Sequence, residues 1–325
     1  MPQSNPQKIK TIFIGTSKLA SSILLKLIEE KYQIVAVVTK PDRKIGSKSK
    51  RQLAENPIRE IAVKNNIPLL QPEKINLDFI REIKNLNPDL IIVTSYGKII
   101  PEDLLNIPKY HCLNVHVSLL PKLRGASPVQ NAVLEGLNET GVTIMKMDIG
   151  MDDGDIIAQE KIKIKENETA EELSARIFPF GAEKLIEILP NWIEGKIEAE
   201  KQNESEATFC KILKREDGEV DWNKSAQEIH NQFRAFTPWP GIFTFWNKDK
   251  NKKIRIKLNF IKIYKEEVLS KNLKSGEVFK ENKKVLVNTK NGVIEIIELQ
   301  SEGKKVMRAI DFINGNSDFV GSVLG

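Results

Sequence analysis

In Leu113-Asn114-Val115-His116-Val117-Ser118, apolar and polar residues alternate. Strand periodicity places Leu113, Val115 and Val117 on one face and Asn114, His116 and Ser118 on the other. Asn114 and His116 then stand about 6.5–7 Å apart along the strand, aimed the same way. An imidazole gives or takes a proton at neutral pH, and a side-chain amide stabilises a developing oxyanion without titrating. A carboxylate to orient the imidazole completes such a set. Gly150-Met151-Asp152-Asp153-Gly154-Asp155 offers three of them between glycines. Calcium loops space their ligands differently, and no His or Cys accompanies these acids, so a metal loop ranks below a flexible loop that delivers one carboxylate to His116. A buried histidine is otherwise a common core residue. What argues against that here is a polar face on a strand expected to be buried on both sides.

The elements around these residues read as an α/β pattern. Ile12-Phe13-Ile14 is a short buried strand, followed by the turn Gly15-Thr16-Ser17. Ala20, Ile23, Leu24, Leu27 and Ile28 then recur at helical spacing. Ile34 to Val38, Leu90 to Val93 and Leu113 to Val117 are further strands. Strands that alternate with helices imply right-handed crossovers and a parallel sheet, which binds ligands at the carboxyl ends of its strands. Gly15 lacks the later glycines of a dinucleotide fingerprint, which excludes a nicotinamide enzyme. After the active strand, Ser127 is placed to cap a helix that carries Pro128 in its first turn and Gly136 beyond its end. Gly141 to Asp148 reads as another strand and Ala170 to Ile188 as an amphipathic helix. Residues from about 190 to 214 are polar and read as a linker. Beyond them the pattern is all strand: Gly241 to Trp246, Ile254 to Tyr264, Lys284 to Thr289 and Val293 to Leu299, with a hairpin signal at Asn291-Gly292. A small antiparallel barrel fits this tail.

The chain has 325 residues, 40% hydrophobic and 29% charged, enough for two globular domains and too apolar for a wholly disordered chain. No apolar run is long enough for a transmembrane helix, and the polar N-terminus does not read as a signal peptide. Two cysteines, Cys112 and Cys210, make no disulfide framework and point to a reducing compartment. The net charge of +6 is uneven. Arg43, Lys44, Lys48, Lys50 and Arg51 crowd one stretch. Lys253, Arg255 and Lys257 alternate with apolar residues on a later strand. Basic clusters can serve a polyanion, although an edge strand guarded by lysines shows the same pattern.

Asn114-Val115-His116, Ser118-Leu119-Leu120-Pro121 and Arg124-Gly125-Ala126 resemble the signature of the 10-formyltetrahydrofolate-dependent formyltransferases. Asp148 to Asp155 is similar to the aspartate loop of that family. In the tail, Val220-Asp221-Trp222, Arg234-Ala235-Phe236, Pro238-Trp239-Pro240 and Leu299-Gln300 with Gly303-Lys304-Lys305 resemble the C-terminal domain of the branch that acts on tRNA. The likeness runs from Ile12 to about Phe312. The sequence departs from the family at Ser47, where an arginine often follows the glycine, at Val117 after the histidine, and at Ser17 in the first turn.

The resemblance implies an enzyme that moves the formyl group of 10-formyltetrahydrofolate to the amino group of methionine on initiator methionyl-tRNA, at the start of translation. The implied catalytic residues are Asn114, His116 and Asp152. Ser118, Leu119, Leu120 and Pro121 would line the folate site, with Tyr96 and Gly97 as a wall acting chiefly through backbone. The basic loop and Lys253, Arg255 and Lys257 would contact tRNA. The expected fold is α/β: a Rossmann-like parallel-sheet catalytic domain over 1–195, a linker over 196–214, and a small OB-like β-barrel over 215–325. A cytoplasmic monomer without metal or membrane partner is expected. Formyl transfer to a nucleotide-sugar amine and hydrolysis of formyltetrahydrofolate are the nearest alternatives, and a non-catalytic RNA-binding protein is a more distant one.

Overall fold

The computed structural model describes residues 5–42, 44–45, 52–53, 56–249, 252–266 and 272–325. The chain folds into two compact units. The first comprises 1–128, 139–163 and 174–211; the second comprises 129–138, 164–173 and 212–325.

The first unit is built on the apolar runs. Strands β1 (Lys10–Gly15), β2 (Gln33–Val38), β3 (Leu69–Leu70), β4 (Leu90–Thr94), β5 (Cys112–His116), β6 (Glu139–Lys146) and β7 (Ile156–Lys163) form one sheet in the order β7-β6-β5-β4-β1-β2-β3. The pairs β1–β2, β1–β4, β2–β3 and β4–β5 are parallel. Every residue of β4 is buried, as a central strand covered on both faces requires. Helices α1 (Ser21–Glu29), α2 (Pro57–Lys64) and α3 (Leu77–Asn85) supply crossovers; the side chains of Asn56 and Asn76 cap the last two. The strand order reverses between β4 and β1, and the loops that leave β4 and β5 open at their carboxyl ends.

Two strands at one side of this otherwise parallel sheet pair antiparallel. β6 pairs with β5 antiparallel, and β7 with β6 antiparallel. The connection from β5 to β6, which includes the helix α4 (Pro128–Leu134), leaves and rejoins the sheet at the same end, so it is not a parallel crossover. Helix α5 (Ala170–Ile193) outruns its expected end and passes through Pro179 and Pro190. At Gly181 it lies so close to the sheet that a Cβ would stand 3.0 Å from Val115 and 3.1 Å from Val142.

In the second unit, helix α6 (Ala226–Phe236) begins with a capping box: the Ser225 side chain takes the Glu228 N–H, and Glu228 takes the N–H of Ser225. Strands β8 (Ile242–Asp249), β9 (Lys252–Tyr264), β10 (Val278–Glu281), β11 (Lys284–Asn288) and β12 (Val293–Ser301) form a curled antiparallel sheet in the order β8-β9-β12-β11-β10. Thr289–Gly292 make the expected hairpin turn, with Gly292 at φ +90°. The last residues close the curl. Gly321 and Ser322 exchange backbone hydrogen bonds with Val278 on one edge, and the Gly325 N–H bonds the Phe245 carbonyl on the other. Trp246, Phe312 and Phe319 meet edge to face, with centroids 5.1–5.9 Å apart.

Candidate active site

β5 alternates as its sequence requires. Leu113 and Val115 are buried in the core, Asn114 is half-buried, and His116 is 6% exposed at the strand end. The loop after β6 folds back over this end and places Asp152 between them. The Asn114 amide donates to Asp152 Oδ1 at 3.3 Å. Asp152 Oδ2 accepts the Gly125 N–H at 2.8 Å and lies 3.6 Å from His116 Nδ1. His116 Nε2 is 3.1 Å from the Leu123 carbonyl, so the ring is held at one nitrogen and presents the other to the carboxylate. The three residues singled out in sequence therefore form one cluster.

Asp152 adopts φ +52°, a conformation an aspartate enters at a cost of about 1 kcal/mol or more. Glycines around it let the loop bend, and neighbours hold it there. Gly125, at φ +112°, brings its N–H to the carboxylate, and a Cβ on it would stand 2.5 Å from the Cys210 carbonyl. Gly125→Ala is expected to cost roughly 1–3 kcal/mol from strain alone, with kcat falling as Asp152 loses its donor. A chemical-denaturation midpoint equal to wild type would count against this reading of the turn.

The segment Ser118–Pro121 leaves the end of β5 in a fixed conformation. Thr143 Oγ1 donates to the Ser118 carbonyl at 2.7 Å and accepts the Leu120 N–H at 3.1 Å; Gln159 donates to the Leu120 carbonyl at 2.7 Å. The Ser118 hydroxyl is buried and donates to the Lys122 carbonyl, so its side chain serves the loop. Leu120 is also buried, while Leu119 and Pro121 are half-buried. Tyr96 and Gly97 leave the neighbouring strand β4. The Tyr96 ring is 2% exposed and packed among Ile12, Ile14, Val38 and Val93, so only its backbone lines the strand ends. Burial raises its phenol pKa, and its hydroxyl has no partner among the described residues. Gly97 takes φ +64°.

Three side chains support the Asp152 turn, two of which, Gln202 and Glu204, the sequence did not single out. Gln202 donates to the backbone carbonyls of Asp152 and Gly154, Arg124 donates to Gln202, and Glu204 accepts from Arg124. Arg124 belongs to the quoted signature; Gln202 and Glu204 lie in a polar stretch with no pattern. The hydrogen bond to Glu204 is the main cause that holds the Arg124 pKa above its ordinary value, against a smaller lowering by burial.

Of the basic loop, Arg43, Lys48, Lys50 and Arg51 lie outside the described residues. Lys44 falls in a two-residue strand, Lys44–Ile45, that pairs with Gln52–Leu53. Lys253, Arg255 and Lys257 share one face of β9, and Ile256 and Leu258 are buried on the other. Arg255 lies 3.7 Å above the Phe243 ring and Lys253 lies 4.2 Å above that of Phe245, both aromatics on β8. β9 pairs with β8 from Lys252 to Leu258 and with β12 from Ile256 onward, so Lys257 lies inside the sheet while Lys253 and Arg255 lie where β8 is the paired strand.

A mostly parallel sheet that presents an amide, an imidazole and a carboxylate together at its strand ends is a frame suited to a group-transfer enzyme. The family model described as "Formyl transferase" matches residues 7–189, and "Formyl transferase, C-terminal domain" matches 212–317. The methionyl-tRNA formyltransferase of Caldicellulosiruptor saccharolyticus is 42% identical over 317 residues, covering 96% of this chain and 99% of that protein. That of Clostridioides difficile is 41% identical, covering 98% and 100%. Among solved structures, an N-formyltransferase from Helicobacter canadensis in complex with folinic acid and dTDP-3-aminofucose superposes with TM-score 0.64 at 22% identity, over 89% of this chain and 98% of that one. The chain belongs to the formyl transferase family, in the branch of the methionyl-tRNA formyltransferases.

Proposed function

We propose that the protein transfers the formyl group of 10-formyltetrahydrofolate to the free amino group of methionine on initiator methionyl-tRNA, using Asn114, His116 and Asp152. The observation that carries the chemistry is the convergence of these side chains on one strand end, 3.3 and 3.6 Å apart through Asp152. Attack of the amine on the formyl carbon makes a tetrahedral oxyanion. Asn114 spends one amide hydrogen on Asp152 and keeps a second for that oxygen. His116, held at Nε2 by Leu123, turns Nδ1 toward Asp152, which orients it. The proton lost by the attacking amine passes along this pair toward the departing folate nitrogen.

The folate donor is a co-substrate, and the strand ends fit it. The rigid Ser118–Pro121 segment and the backbone of Tyr96 and Gly97 flank the cluster, with Leu119 and Pro121 partly open as an apolar wall. The tRNA reading rests on the relatives and on the stripe of Lys253, Arg255 and Lys257. The basic loop Arg43–Arg51 is assigned to the acceptor end on family likeness alone. The domain division is taken as 1–195, 196–214 and 215–325, and the enzyme as a cytoplasmic monomer. Among the described residues, no helix is long and apolar enough to cross a membrane.

Purified protein supplied with formyltetrahydrofolate and methionylated initiator tRNA is expected to yield formyl-methionyl-tRNA, with folate turnover dependent on the charged tRNA. Turnover without tRNA would make the protein a hydrolase. Formylation of a nucleotide-sugar amine in place of the tRNA would move it to the sugar branch.

A further inference from the structure

The backbone of the Asp152 turn is held from outside its own loop, and the holder lies in the polar stretch that reads as a linker. Gln202 Nε2 donates to the Asp152 carbonyl at 2.8 Å and to the Gly154 carbonyl at 2.7 Å. One amide nitrogen thus holds the carbonyl of the residue that carries φ +52° and a second carbonyl two residues on. Its orientation is locked, because Gln202 Oε1 accepts from Arg124 Nε at 3.1 Å and from Nη2 at 2.8 Å. A flipped amide would set its oxygen against two carbonyls and its NH₂ against a guanidinium, which only donates. Arg124 is 2% exposed and is fixed by Glu204 through Nη1 at 3.0 Å and Nη2 at 2.7 Å. The next residue is Gly125, whose N–H bonds the Asp152 carboxylate. The contacts close a ring: Asp152 side chain, Gly125, Arg124, Gln202 and back to the Asp152 backbone.

We propose that Gln202, locked by Arg124, is a positioning residue that sets the distance and angle of the Asp152 carboxylate toward His116 and Asn114. It touches no reacting atom. Its two N–H donors hold a turn that would otherwise relax from its left-handed conformation and carry the carboxylate with it. This inference rests on the reading of Asp152 as catalytic.

The test is a double-mutant cycle in the full-length enzyme, read by formylation of methionylated initiator tRNA. Gln202→Ala is expected to lower kcat about 30-fold, while KM for both substrates stays within about threefold, because misplacement by an ångström costs up to about 10²-fold in the chemical step. Gln202→Glu keeps the shape and removes both donors, so it is expected to fall at least as far. In an Asp152→Asn background, Gln202→Ala is expected to cost less than twofold, since the group it positions is already lost. A purely structural role predicts instead that Gln202→Glu restores activity, or that the loss is the same in both backgrounds; either result overturns the proposal. If Asp152→Asn alone retains full activity, the catalytic reading fails first. If it is inactive and Gln202→Ala is normal, only the positioning role fails.

Discussion

Asp152→Asn is expected to lower kcat about 10³-fold, the range set by loss of positioned acid–base catalysis, and to leave KM for the folate donor and the tRNA nearly unchanged. The substitution keeps the volume of the side chain and an oxygen for the Gly125 N–H, which donates at 2.8 Å. It removes the negative charge 3.6 Å from His116 Nδ1 and the second acceptor that Asn114 uses. Two amides would then face each other with one surplus donor, and the imidazole would lose the charge that faces Nδ1, keeping only its contact with the Leu123 carbonyl. The effect belongs to the transition state, because the charge that Asp152 balances develops only as the amine gives up its proton. Steady-state kinetics at saturating concentrations of both substrates check this. A kcat within fivefold of wild type would exclude Asp152 from the chemistry.

The second large effect concerns the acceptor. Replacing Lys253, Arg255 and Lys257 together by glutamine is expected to raise KM for methionylated tRNA about 10²-fold near 0.1 M salt and to leave kcat and the folate KM within twofold. Each phosphate contact contributes about 0.7–0.9 to the slope of log affinity against log salt, so three lost contacts should flatten that slope by about two to three. Arg255 and Lys253 are stacked on Phe243 and Phe245, which holds the charges on a rigid strand instead of on free tethers. Glutamine keeps much of each aliphatic stem over the rings, so stability should change little. An unaltered salt slope would show that this face does not meet the tRNA.

These expectations draw on what the sequence could and could not convey. Asn114 and His116 were legible because strand alternation is local: a period of two in six residues is enough to set them on one face. Asp152 was legible as a candidate because the glycines around it signal a turn. Its selection over Asp153 and Asp155 came from family likeness; in the fold its carboxylate meets Asn114 and Gly125. Gln202 was not legible, since its partners lie 48 and 50 residues away and its own neighbourhood is uniformly polar. The same reason hid the direction of β6: its residues specify a strand, but its direction is decided by the end of the sheet to which the preceding connection returns the chain. Thr143 shows an intermediate case. A fully buried threonine on β6 signals a partner, but only the fold reveals that it braces Ser118 and Leu120.

Residues 321–325 bond to both edges of the curled sheet, through Val278 on β10 and Phe245 on β8. That arrangement has a consequence for biosynthesis. Translation runs from the N-terminus, so the edge of β10 and the part of the β8 edge around Phe245, beyond the bond that Val220 gives Phe243, stand unpaired until residues 321–325 have left the ribosome. Every strand of the sheet is made before its seam. During that interval this edge backbone is a template for another nascent chain, and loss of residues 321–325 would make the exposure permanent.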